Sequence, residues 1–160
     1  MNTVFLGLGS NHDRERNLCS AIELLSASFG SLQRSSVYES APHGHSGAPY
    51  FNLVVMLETD TSVAALKQQL REIEACCGRD RDGAPGVCAL DIDLLMYGDQ
   101  VGEVGGVQLP HRDVLSRAYV LQPLAELAPE QLHPVERQSF KILWQRFPVA
   151  VPLRVVTLDC

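Results

Sequence analysis

The sequence predicts one α+β domain over residues 1–160, and three observations carry that expectation. Runs with strand character and runs with helical periodicity alternate from the N-terminus to Tyr97. Hydrophobic residues make up 46% of the chain and charged residues 20%, globular values that exclude wholesale disorder. The length suits a single core, burying about 68–70% of the unfolded surface, and no linker, repeat or low-complexity tract divides it.

The elements follow in order. Thr3 to Leu8 reads as a strand, and Gly7, Gly9, Ser10 and Asn11 open the chain into a turn. Leu18, Ile22, Leu25 and Phe29 recur at helical spacing between Arg14 and Phe29, with Asp13 as cap and Gly30 as stop. Leu32 to Tyr38 is a weaker strand, and Ser40 to Pro49 is a loop punctuated by glycine and proline. Tyr50 to Glu58 is apolar on both pleat faces, as a central strand covered on both sides must be. Ser62 caps a helix whose stripe is Val63, Leu66, Leu70, Ile73 and Cys77, ended by Gly78. A polar loop from Arg79 to Ala89 leads into a strand from Leu90 to Tyr97.

Strand, helix, strand, strand, helix, strand is the split βαβ, ferredoxin-like order. The C-terminal third adds an extended piece at Val107 to Leu109 and a helix from Val114 to Leu127 interrupted at Pro123. A helix near Phe140 to Trp144 and a β-like tail from Ala150 to Leu158 complete it. The expected fold is a ferredoxin-like βαββαβ core with C-terminal helical and β additions.

Composition excludes several functions. No apolar run approaches the roughly 18 residues of a membrane span, and the N-terminus lacks the basic region of a secretory signal. A net charge of −6 argues against general nucleic-acid binding. Cys19, Cys76, Cys77, Cys88 and Cys160 form an odd set without a CxxC pair, read as reduced thiols of a cytoplasmic protein.

Asp91 and Asp93 carry the clearest chemistry. Two apart on an apolar strand, they leave one face of the sheet about 6.6 Å apart at the backbone. Carboxylates that close raise each other's pKa unless a cation or donors intervene. A hard divalent ion shared with phosphate oxygens resolves the conflict; a solvated polar strand face is the bland alternative, although Leu95 and Tyr97 continue that face. His111, Arg112 and Arg117 follow Pro110 as donors suited to phosphate, and Arg79 and Arg81 flank the loop into the Asp pair. Each arginine alone reads as surface; together they suit nucleotide polyphosphate chemistry. Weaker signals are a partial dinucleotide fingerprint at Gly7 to Asn11, a His43/His45 pair, and Cys88 without an evident base.

Set in order, these segments resemble the 6-hydroxymethyl-7,8-dihydropterin pyrophosphokinase family of folate biosynthesis. The resemblance runs from Leu6 to about Pro129. It is carried by Gly9-Ser10-Asn11, Ser35-Ser36-Val37-Tyr38-Glu39-Ser40, Pro42-His43-Gly44 and Pro49-Tyr50-Phe51-Asn52. It continues through Leu90-Asp91-Ile92-Asp93-Leu94, Leu109-Pro110-His111 and Arg117-Ala118-Tyr119-Val120-Leu121. It implies transfer of pyrophosphate from ATP to the pterin hydroxymethyl oxygen, with release of AMP. It also implies two Mg²⁺ ions at Asp91 and Asp93, catalytic loop arginines at Arg79 and Arg81, and phosphate contacts from His111 and Arg117. Glu74 matches a glutamate near the nucleotide. Ser40 (in place of the usual threonine), Ala41, His43, Tyr50, Asn52 and Tyr119 match pterin-pocket positions.

The chain departs from the family pattern in the loop. The usual Trp-Gly-Pro-Arg-Thr ending is absent, and Cys88 occupies the last arginine's place. Gly47-Ala48 replaces a glutamine ahead of the pterin loop proline, and His43 an apolar residue. Two further readings therefore stand beside an active enzyme: a paralogue that binds pterin or nucleotide with little turnover, or acts on a variant pterin, and an RNA-recognition module of the same element order. The latter lacks its aromatic, basic stripe on Tyr50 to Glu58. The implied partners are pterin and ATP, with no nucleic acid or membrane, in a monomer or weak homodimer.

Overall fold

The computed structural model describes residues 1–42, 47–149 and 152–160. Its organising strand is β1 (Asn2–Ser10), which buries Val4, Leu6 and Leu8 in one apolar cluster and Phe5 in another. β1 pairs antiparallel with β4 (Tyr50–Thr59) and β5 (Asp91–Tyr97). β4 pairs in turn with β2 (Gln33–Arg34) and β3 (Val37–Ser40), so the sheet runs β5-β1-β4-β3 with β8 (Arg154–Val156) on the outer edge of β3. β6 (Gly102–Val104) and β7 (Val107–Leu109) form a separate hairpin.

Two apolar layers sandwich the sheet. Leu18, Ala21 and Leu25 of α1 (Arg14–Phe29) join Val63, Leu66, Leu70 and Ile73 of α2 (Val63–Cys76) on one face. The other face carries Val114 of α3 (Asp113–Ser116), Val120, Leu121 and Leu124 of α4 (Ala118–Leu127) and Phe140 of α5 (Phe140–Gln145). The element order and strand order are those of the ferredoxin-like fold, with the expected helical and β additions.

Several local expectations change. β1 continues through Gly7 and Gly9 to Ser10 instead of turning, because both glycines stay laddered to strands on either side. The strand expected over Leu32 to Tyr38 is two pieces. Ser35 and Ser36 interrupt it by giving their side chains to Val54 N–H (3.0 Å) and to the Glu126 carboxylate (2.7 Å), local bonds that compete with a ladder. Asp13 does not cap α1; it sits at φ 44 and its carboxylate holds Arg16 at 2.7 Å. Ser62 does cap α2, accepting the Ala65 N–H at 3.3 Å. The helix break falls at Arg117, where the backbone is extended, and Pro123 lies inside α4. Burial of Val120, Leu121 and Leu124 around Pro123 offsets the lost hydrogen bond. Among the described residues of the expected β-like tail, the strand is Arg154–Val156.

Two corrections bear on the site and the termini. Leu95 and Met96 both enter the second apolar layer while Tyr97 enters the first, so Tyr97 does not continue the Asp91–Asp93 face. A register shift opposite Phe5 and Leu6 leaves Leu95 as the extra residue and flips the alternation. Cys19 and Cys160 form a disulfide, contrary to the reduced-thiol expectation, because the tail returns across α1 and brings their Cα atoms to 5.7 Å. Cys76, Cys77 and Cys88 are free. Among the described residues no helix is long and apolar enough to cross a membrane.

Candidate active site

The ladder register assembles the site. Gly9 pairs with Asp91 on one side and with Asn52 on the other, and Gly7 pairs with Asp93. All five residues line one cavity of ≈ 370 Å³ on the sheet face beneath α3 and α4. The glycines keep it open: a Cβ on Gly9 would stand 3.4 Å from Asn52 Oδ1 and 3.7 Å from the Tyr50 ring. Asn52 is held by its amide nitrogen, which donates to Tyr38 C=O at 3.1 Å and Ser40 Oγ at 2.8 Å. Tyr50, Ser40, Ala41 and Tyr119 complete this inner cavity with Arg79, Cys88 and Asp113.

A second cavity of ≈ 550 Å³ opens on the other side of the same two carboxylates. It is lined by Lys67, Arg71 and Glu74 of α2, by Arg81, by the β7 end of the hairpin, and by His111 and Arg112. Asp91 and Asp93 line both cavities. They form the shared wall.

Burial and the neighbouring Asp91 carboxylate, which is hydrogen-bonded to it, push Asp93 up to about 8. Burial likewise raises Glu74, although the Ile92 N–H counteracts it. That N–H reaches Glu74 Oε2 at 2.8 Å, and Arg81 holds Oε1 at 2.7 Å. Glu74 thus grips the backbone of the residue between the two aspartates. Arg79 donates to Leu90 C=O at 2.9 Å and approaches Asp91 at 3.4 Å. His111 Nδ1 accepts the Asp113 N–H at 3.0 Å. Asp93, His111 and Asp113 present ligand atoms within 4.8 Å of one another.

The structure therefore brings Ser40, Ala41, Tyr50, Asn52, Tyr119 and Arg79 to the inner cavity, and Glu74, Arg81, His111 and Arg112 to the outer one. His43, with the His43/His45 pair, lies outside the described residues. Arg117 stands at the α3–α4 break and lines neither cavity, so the four arginines do not all gather beside the Asp pair. Sequence reasoning missed Asp113, Lys67 and Arg71. Lys67, Arg71 and Glu74 recur at i, i+4, i+7 on α2, a stripe that was legible. Gly7 and Gly9 line the cavity from within β1, where the sequence pattern predicts a turn.

The comparisons with known proteins give the family. A family model described as 7,8-dihydro-6-hydroxymethylpterin-pyrophosphokinase (HPPK) matches residues 5–129, which include both aspartates and His111. The chain belongs to this family. A 2-amino-4-hydroxy-6-hydroxymethyldihydropteridine pyrophosphokinase of Methylorubrum extorquens is 41% identical over 81% of this chain and 85% of its own length. Its counterpart from Aquifex aeolicus is 34% identical over 88% of this chain and 89% of its own length. The crystal structure of wild-type Plasmodium falciparum HPPK-DHPS with SDX-DHP superposes with a TM-score of 0.74 at 16% identity. It covers 92% of this chain and 44% of that one, so the chain spans less than half of that protein, and the likeness shows the fold.

Proposed function

We propose that this chain transfers pyrophosphate from ATP to the hydroxymethyl oxygen of 6-hydroxymethyl-7,8-dihydropterin, releasing AMP, in folate biosynthesis. The observation that carries the reading is the shared wall: two carboxylates stand between an inner cavity and a cation-lined outer one. An alcohol held in the inner cavity and a polyphosphate held in the outer one meet at Asp91 and Asp93. The alcohol oxygen attacks the β-phosphorus and gives its proton to solvent, the bond from that phosphorus to the oxygen bridging the α-phosphate breaks, and AMP leaves with that oxygen. The substrate supplies the nucleophile, so the protein's part is alignment and charge.

Each residue has a place in that scheme. Asn52 meets the pterin edge, with Ser40 and Ala41 on the rim and Tyr50 and Tyr119 against the ring. Lys67, Arg71, Arg81, Arg112 and His111 surround the phosphates, Glu74 sets the β5 backbone, and Arg79 faces Asp91 from the inner side. Arg117 contributes only if its side chain turns towards the outer cavity.

The donor set suits Mg²⁺, because Asp91 and Asp93 are hard oxygen ligands whose crowding a cation relieves. Two such ions, held by Asp91 and Asp93 and shared with the phosphates, would supply charge neutralisation when bound. The reading takes residues 1–160 as one catalytic unit, a monomer or weak homodimer in the cytoplasm, without nucleic-acid partners.

The test is AMP formation from ATP, Mg²⁺ and 6-hydroxymethyl-7,8-dihydropterin. Steady AMP release by the wild type, lost in Asp91→Ala along with Mg²⁺-dependent ATP binding in Asp93→Ala, is the expected result. Pterin binding without AMP above the Asp91→Ala background would sink the reading in favour of a binding paralogue.

A further inference from the structure

Resting on the pyrophosphokinase reading, we infer that Cys88 is a positioning residue whose sulfur holds the Arg79 guanidinium over Asp91. Arg79 follows directly after α2, and its Nη1 meets three acceptors: Cys88 Sγ at 3.0 Å, Leu90 C=O at 2.9 Å and Asp91 Oδ1 at 3.4 Å. The Tyr50 hydroxyl hydrogen-bonds the same sulfur. Tyr50, Cys88, Arg79 and Asp91 therefore form one chain of contacts along the wall of the inner cavity.

The sulfur is itself fixed. Asn11 clamps the Cys88 backbone in both directions: its N–H donates to Cys88 C=O at 2.9 Å and its Oδ1 accepts the Cys88 N–H at 2.6 Å. Asn11 also donates its side-chain amide to Gly86 C=O at 2.7 Å. Cys88 is buried, so Arg79 meets this acceptor out of water, where electrostatic contacts are stronger. An arginine side chain has many rotamers, and a transition state gains most from a cation that is already in place. The Leu90 carbonyl alone fixes one nitrogen; the anchored sulfur adds the second acceptor that fixes its direction. Arg79 is the cation that faces Asp91 from the inner cavity, and Cys88 acts through it.

Two substitutions separate positioning from packing. Cys88→Ser keeps an acceptor with less bulk, whereas Cys88→Val keeps bulk and removes the acceptor. In nitrogen-15 spectra, the Arg79 guanidinium signal, assigned with Arg79→Lys, is expected to be distinct in the wild type and in Cys88→Ser. It is expected to be averaged in Cys88→Val. In AMP formation, Cys88→Val is expected to lower kcat about 10-fold or more with KM for both substrates nearly unchanged, and Cys88→Ser to lose less. A Cys88→Val protein with an undisturbed Arg79 signal, or with kcat equal to or above that of Cys88→Ser, overturns the inference. If Cys88→Val fails to fold, Cys88→Ala replaces it in both measurements. A wild type that releases no AMP defeats the pyrophosphokinase reading, and the guanidinium signal still decides whether Cys88 positions Arg79.

Discussion

Asp93 shows how a site residue is held in an unfavourable state by its neighbours. Its carboxyl is pushed up to about 8 by burial and by Asp91 across the same strand face. A folded-state value above the unfolded 3.8 means that the native chain binds a proton which the unfolded chain has released. The stability this contributes is fully present below the unfolded value and is lost as pH rises through about 8. In the presence of a chelator, the melting temperature is expected to fall between about pH 5 and about pH 8. The slope should flatten in Asp93→Asn, and Mg²⁺ should restore the wild type most at the upper end. A melting temperature that rises over this interval in chelator would show that the pair does not share a proton.

The loop from Arg79 to Ala89 is an element whose shape depends on one side chain outside it. Asn11, at the end of β1, supplies two side-chain hydrogen bonds to Gly86 and Cys88. Asn11→Ala removes both and leaves a buried N–H without a partner, a loss of about 1–3 kcal/mol. Hydrogen exchange at residues 86–88 should accelerate, with urea unfolding reporting the lost stability; unchanged exchange there would show that the loop holds itself. Periodicity made the elements themselves legible, since α1, α2, β4 and β5 are long and their apolar stripes are complete. What it could not show was pairing. The Leu95 bulge exists only because β1 and β5 are out of step past Phe5. The Ser35–Ser36 gap depends on Glu126, far along the chain, and the glycines of β1 read as a turn until Asp91 and Asn52 flank them. The aspartate pair was visible from spacing alone; that it divides two cavities was not, because α2, α3 and the hairpin come to it from separate parts of the sequence.

At the scale of the whole molecule, the tail closes the structure. β8 covers the edge of β3, Asp159 N–H reaches Glu15 at 3.2 Å, and Cys160 is bonded to Cys19 of α1. Because the cross-link joins residues 141 apart in sequence, it restricts the unfolded chain strongly. Reduction is expected to lower unfolding stability by about 2–4 kcal/mol, measured by urea unfolding with and without a dithiol. Thiol titration of the denatured chain should rise from the three free cysteines to all five. Equal stability in both states would show that β8 holds the tail unaided. The same bond determines what a protease leaves behind. Any single cut after Cys19 and before Cys160 falls inside a covalent ring, so a chain nicked in the loop between Arg79 and Ala89 stays one molecule. It separates into two pieces only when the sulfurs are parted.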